Sequence, residues 1–165
     1  MKFASFFSYP ESETSVGPDN EPDELVFLQH QSEDGWQKLL SYTETLYFHI
    51  GDVIINQDET DRGLYFVVNG QLEVLGLNPD GQHWYRIITL DAHTIFGEQA
   101  FFDGKPRSAA VRAISDGTLL RLSPLNFDVM AAREPILARE ILFDLARILS
   151  LRLRQTTAAL ANNNR

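Results

Sequence analysis

Between Phe96 and Val111 the chain reads Phe-Gly-Glu-Gln-Ala-Phe-Phe-Asp-Gly-Lys-Pro-Arg-Ser-Ala-Ala-Val, and this stretch gathers residues able to do chemistry on a small anion. Gly97 permits a close turn. The N–H groups of the helical turn expected after it have no intrahelical partner and carry the positive end of the helix dipole, where an anion is favoured. Gly104 and Pro106 break that helix and turn the chain back, which returns Arg107 toward the start of the same helix. A guanidinium offers a planar fork of donors matching phosphate oxygens, and each charge-assisted bond of this kind contributes roughly 1.5–3 kcal/mol. Ser108, Ala109 and Ala110 are small, so a strand beginning there leaves a hollow. Glu98 would repel a phosphate, and its acceptor oxygens need another target, such as a sugar hydroxyl. Phosphate, ribose and an apolar hollow together describe a nucleotide.

Taken singly, each residue has an ordinary explanation. Glu98 suits the first turn of any helix, Arg107 could be a surface arginine paired with Asp103 or Glu98, and Gly97, Gly104 and Pro106 are common turn residues. Their joint spacing inside a strand-rich pattern outweighs these separate readings.

The segment resembles the cyclic-nucleotide-binding domain family, and the resemblance spans roughly residues 36 to 155. It implies that Glu98 takes the ribose 2′-hydroxyl, that Arg107 takes the cyclic phosphate with Ser108 and Ala109 beside it, and that Gly97, Gln99 and Ala100 belong to the same cassette, with backbone donors from Gly97 and Ala100. Gln99, where the family more often has an apolar residue, and Ala110, often Thr or Ser there, are departures. The resemblance further implies that the C-terminal helices hinge when ligand enters and cap its base, with Arg152, Thr156 and Thr157 as the candidate caps. It implies cAMP, or cGMP, as ligand.

The elements that must position these residues follow from pattern. Residues 1–24 form an acidic tail containing Glu11, Glu13, Asp19, Glu21, Asp23 and Glu24, expected to be disordered. The domain is expected over residues 25–160, opening with a helix at 32–42 capped by Ser32 and carrying Trp36, Leu39 and Leu40. From 46 to 122 short apolar runs alternate with turns: Tyr47–Ile50, Val53–Ile55, Leu64–Val68, Leu72–Leu77, Trp84–Leu90, Ala109–Ile114 and Leu119–Leu122. Asn69-Gly70 reads as a tight hairpin, Pro79-Asp80-Gly81 as a longer one and Asp116-Gly117 as a third turn. The fold class is therefore mainly β with flanking helices: an antiparallel jelly roll interrupted by the short cassette helix. Ser123 and Pro124 start a helix filled by Phe127, Val129 and Met130 that ends before Pro135. A longer helix runs from about Ile136 to Leu160, with too many apolar residues for one narrow stripe. One face is expected on the roll and the other on a second copy of the chain, the alternative being a single wide core face. Residues 161–165 are expected as a tail.

Composition bounds the rest. The 165 residues are enough for one domain with a core. There is no cysteine, hence no disulfide, thiolate metal site or cysteine nucleophile. No secretory leader or membrane-spanning run is visible, and the expected location is cytoplasmic, without membrane insertion. A net charge of -9 opposes binding to nucleic acid. The resemblance to the bacterial activators stops at Leu160, before any DNA-reading helix-turn-helix, so the expectation is a stand-alone, non-enzymatic sensor that signals to an unnamed partner protein or through its own assembly. Two other readings stay open: a jelly-roll interaction module that has lost nucleotide binding, and a cupin-like metalloenzyme. The second is weakened because His30, His49, His83 and His93 form no His-x-His pair, so no catalytic or metal-binding residue is assigned.

Overall fold

The computed structural model describes residues 27–28 and 31–163. The expected acidic tail, His30 and residues 164–165 lie outside them. Among the described residues the chain forms four helices and eight strands in the order α1 (Glu33–Ser41), β1 (Glu44–Phe48), β2 (Val53–Ile55), β3 (Leu64–Asn69), β4 (Leu72–Leu77), β5 (Trp84–Leu90), β6 (Ile95–Phe96), α2 (Glu98–Asp103), β7 (Ala110–Ala113), β8 (Gly117–Leu122), α3 (Pro124–Arg133) and α4 (Pro135–Asn163). The strands make two four-stranded antiparallel sheets, β1-β8-β3-β6 and β2-β7-β4-β5, which is the expected jelly roll.

Strand β3 shows why the roll needs helices. Its run Leu64-Tyr65-Phe66-Val67-Val68 is buried throughout, so neither face can meet water. Alternation sends Tyr65 and Val67 between the sheets, where they pack with Phe48, Leu72, Phe96, Val111 and Leu119. Leu64, Phe66 and Val68 face the other way onto Leu39, Met130, Leu137, Ile141, Leu145 and Ile148. One sheet thus has a core on each side, and the second core is supplied by α1, α3 and the first half of α4.

Local signals explain the helix ends. The Ser32 hydroxyl accepts from the Gly35 N–H at 3.1 Å, and Ser123 caps α3 through Asn126 N–H with Pro124 in the first turn. Val129, expected inside, is 38% exposed; Met130 takes the buried position on that helix. Helix α4 continues to Asn163, so the tail expected from 161 does not begin there. Ala158, Ala159, Leu160 and Ala161 favour helix, and no Gly or Pro follows to stop it.

Two strand expectations need correction. The β1 run starts at Glu44, not near 46, because its register is fixed by pairing of Glu44 with Arg121 on β8. Asn69-Gly70 does turn tightly, with Gly70 at φ +86°, yet it closes no hairpin. The strands on either side belong to different sheets: β3 pairs with β8 and β6, and β4 with β5 and β7. Gly70 instead lies against the Asp116-Gly117 turn, where an added Cβ would come within 2.6 Å of the Asp116 carbonyl oxygen. Both turns carry the chain between sheets at the same end of the roll. The hairpin of β4 and β5 forms as expected, its loop closed by Asp80 accepting from the Gln82 and His83 N–H groups.

Candidate functional site

The segment from Gly97 to Arg107 closes on itself. Gly97 has φ +84°, a region that penalises any side chain, and an added Cβ would lie 2.8 Å from both Arg107 Nη1 and the Gly63 carbonyl oxygen. Glycine is therefore required there twice over. The Arg107 side chain is 3% exposed. Its Nη1 donates to the Gly97 carbonyl at 3.0 Å, and its Nη2 donates to the Gly63 carbonyl at 2.7 Å and to Asp61 Oδ2 at 2.8 Å. The guanidinium carbon sits 5.7 Å from the Tyr65 ring centroid, in reach of a cation–π attraction. Among the described residues the Arg107 Nε–H has no partner.

Asp61 organises this cluster. Besides Arg107 it accepts from Arg121 Nη2 at 2.6 Å, from Tyr65 Oη at 3.2 Å and from the Gly63 N–H at 3.1 Å. Burial pushes its carboxyl upward, but the hydrogen bonds from Arg121, Arg107 and Gly63 outweigh that and hold it at about 2. The main chain of Arg107 is held too, its N–H donating to Glu59 O and its carbonyl accepting from Asp58 N–H. The loop between β2 and β3, residues 56–63, thus clasps the cassette from behind.

Glu98 opens α2 and is buried. Its Oε1 accepts from Arg152 Nη1 at 2.5 Å, and Arg152 Nη2 also donates to the Ile95 carbonyl at 2.5 Å. The arginine comes from α4, so this ion pair ties that helix to the cassette. Between the two lies a cavity of about 480 Å³, a size that suits a small organic ligand. Gly97, Glu98, Gln99, Ala100, Arg107, Ser108 and Ala109 line one side, and Arg152, Gln155, Thr156 and Ala159 of α4 another. Ile55, Val74, Ile87, Ile88, Leu90, Phe96 and Val111 make the apolar wall.

All seven cassette residues singled out in the sequence meet at this cavity, as do Arg152 and Thr156. Thr157 does not: it lies one position round the helix, and its hydroxyl donates to the Leu153 carbonyl at 2.9 Å. The expected anion site at the start of α2 also needs revision. The helix has six residues, so it contributes the free N–H groups of its first turn and little macrodipole, and the full positive charges at the cavity are those of Arg107 and Arg152. Sequence reading missed Asp61 and Gly63, because Asp-Arg-Gly before a strand looks like turn punctuation. A buried arginine requires a carboxylate partner, and that requirement was the available signal. Gln155 and Ala159 were missed because the rotation of α4 was unknown. Among the described residues no three His, Cys, Asp or Glu side chains converge as a metal ion would need, and no helix is long and apolar enough to cross a membrane.

The chain is thus an antiparallel roll with a glycine-led short helix, a buried arginine behind it and a helix across the mouth of its cavity. Residues 45–134 match the family model of the cyclic nucleotide-binding domain, and the chain belongs to that family. It is 29% identical over 116 residues to the cyclic AMP receptor protein of Thermus thermophilus, covering 70% of this chain and 51% of that protein. It is 33% identical over 91 residues to a cyclic nucleotide-gated potassium channel of Rhizobium etli, covering 55% of this chain and 24% of the channel. The match thus spans about half of the receptor protein and about a quarter of the channel. Among solved structures, the Thermus thermophilus catabolite activator protein superposes with a TM-score of 0.72 at 26% identity, over 82% of this chain and 62% of that one. A cyclic nucleotide-binding domain from Methylobacillus flagellatus gives 0.76 at 22% identity over 86% and 79%, a likeness of fold.

Proposed function

We propose that this chain binds a cyclic nucleotide, cAMP or cGMP, in the cavity between the cassette and α4 and passes its occupancy through α4 to a protein partner or to a second copy of itself. The observation that carries this reading is Arg107, a buried guanidinium with one unmet N–H at a cavity that also presents a carboxylate and an apolar wall. An unmet buried donor costs about 1–3 kcal/mol, and a phosphate oxygen at Nε would relieve that cost. The cyclic phosphate takes Arg107 and the Ser108 hydroxyl, beside Ala109 and the backbone of Gly97, Gln99 and Ala100. The ribose 2′-hydroxyl donates to Glu98. The base lies along Val74, Ile87 and Ile88, under Arg152 and Thr156.

Glu98 links binding to output. In the free protein it holds Arg152, and a ribose hydroxyl would share the same carboxylate. From Leu149 to Ala161 no residue of α4 is buried, so the end of the helix rests on few contacts beyond Arg152, and a modest difference in ligand affinity suffices to shift its population. The second copy is supported by an exposed seam on α4. Ile136, Phe143, Leu153 and Leu160 are 68%, 77%, 67% and 61% exposed; from Phe143 to Leu160 they form, with Ala146, Ser150 and Thr157, a stripe at the three-and-four spacing of a coiled coil, and Ile136 stands one heptad before Phe143.

Thermal unfolding with cAMP, cGMP and 5′-AMP tests the proposal. At 100-fold over the dissociation constant a ligand adds about 2.7 kcal/mol, a rise of about 5–11 °C for a chain of this size. The Arg107→Lys variant keeps the charge but loses the fork, and its shift at the same cyclic nucleotide concentration should be much smaller. No rise with either cyclic nucleotide at millimolar concentration would leave the roll as an interaction module.

A further inference from the structure

The loop that clasps Arg107 also grips the other half of the cassette. Arg62, between Asp61 and Gly63, turns its side chain to the far end of α2: Nε donates to the Ala100 carbonyl at 3.1 Å and Nη2 to the Phe101 carbonyl at 2.9 Å. Those carbonyls belong to the last turn of a six-residue helix with no basic residue in that turn. Among the described residues Arg62 has no carboxylate within ion-pair distance, so its charge is spent on backbone oxygens. The guanidinium also lies against Gly104, the left-handed residue that ends α2, with its Cζ 3.6 Å from where a Cβ would stand.

A helix this short has too little internal bonding to hold its own shape: of its C-terminal carbonyls, Ala100 O accepts from the Gly104 N–H at 3.1 Å as well as from Arg62, and Phe101 O accepts from Arg62. Its N-terminal residue is Glu98. The rotation and tilt of α2 therefore decide where the Glu98 carboxylate stands relative to Arg107, and both are set from residues 61–63: Arg107 by Asp61 and Gly63, α2 by Arg62. We propose that Arg62 is the positioning residue of the cassette, fixing α2 so that its carboxylate and the Arg107 guanidinium engage one ligand together. It touches no ligand itself. The inference rests on the cyclic nucleotide reading of the cavity given above.

The test separates positioning from general loosening by asking which part of the ligand is lost. In the intact chain, dissociation constants for cAMP and 2′-deoxy-cAMP are measured for the wild type, Arg62→Ala and Arg62→Lys. The wild type should prefer cAMP about tenfold, through the hydroxyl on Glu98. In Arg62→Ala that preference should collapse to about twofold or less, while ligand-free melting stays within a few degrees of the wild type. Arg62→Lys, able to reach one carbonyl but not fork across two, should recover part of it and serves if the alanine variant fails to fold. A preference unchanged in both variants overturns the positioning role, as does a general loss that weakens both ligands by the same factor. A wild type that binds neither nucleotide sinks the functional reading itself, an outcome distinct from the other two.

Discussion

The two walls of the cavity are built on opposite principles. On the cassette side the chemistry is held by backbone and by burial: Arg107 is 3% exposed and spends its donors on Gly97, Gly63 and Asp61. On the α4 side one side chain, Arg152, reaches across to the Glu98 carboxylate and the Ile95 carbonyl, and Gln155, Thr156 and Ala159 are all exposed. The same contrast runs along α4 itself. Leu137, Ile141, Leu145 and Ile148 are all at most 5% exposed, and from Leu149 to Ala161 no residue is buried. On the function proposed above, the buried wall is the one that holds the ligand, and the sparsely packed end of α4 is the one free to respond to it.

Ways to break this comparison follow in order of size. Ile141→Ala removes a fully buried side chain from the anchored half of α4 and should cost about 2–5 kcal/mol in urea unfolding. Leu153→Ala, a little over three turns further on, should change monomer stability by less than about 0.5 kcal/mol and instead weaken self-association in sedimentation. Equal effects of the two would erase the division of the helix. Next is Glu98→Gln, which strikes the contact between the walls. A neutral amide loses the charge that both Arg152 and a ribose hydroxyl use, so nucleotide affinity should fall about 10- to 100-fold by calorimetry. Amides of residues 150–163 should also exchange faster in the free protein. Unchanged exchange there would mean that the ion pair does not hold the end of α4.

The smallest effect concerns pH and the fixed wall. Asp61 has a carboxyl held at about 2, below its ordinary 3.8. A depressed folded-state value means that the carboxylate stabilises the fold fully above about pH 4, and that this contribution is lost as pH falls toward 2. Its side chain is 37% exposed, so after allowance for solvent screening the contribution is about 1 kcal/mol. Asp61→Asn should flatten the stability curve between pH 4 and 2 by about that amount, and a variant with the wild-type slope would move the source of acid sensitivity elsewhere.

Much of this was legible in the sequence because it is local. Gly97, Glu98, Arg107 and Ser108 lie within twelve residues, and the capping serines sit directly beside the helices they start. The runs that became β2, β4 and β5 announced themselves by apolar composition bounded by turn residues. What could not be read was pairing at a distance. Asn69-Gly70 carries the signature of a hairpin, and nothing nearby tells that β3 will seek β8 across the chain and send β4 to the other sheet. Strand β6 is two residues long, too short for any periodicity to show.

The sequence by itself therefore determined the roll, the cassette and the residue types able to hold a phosphate and a sugar, since turn chemistry, alternation and side-chain charge act over a few residues. Tertiary structure alone decided the rest. It brought Asp61 to Arg107 across 46 positions and Arg152 to Glu98 across 54, and it turned Thr156 inward and Thr157 away. The physical reason is that a buried charge must find its counter-charge wherever the fold places one, and the rotation of a helix is set by the core it packs on, not by the residues at its end.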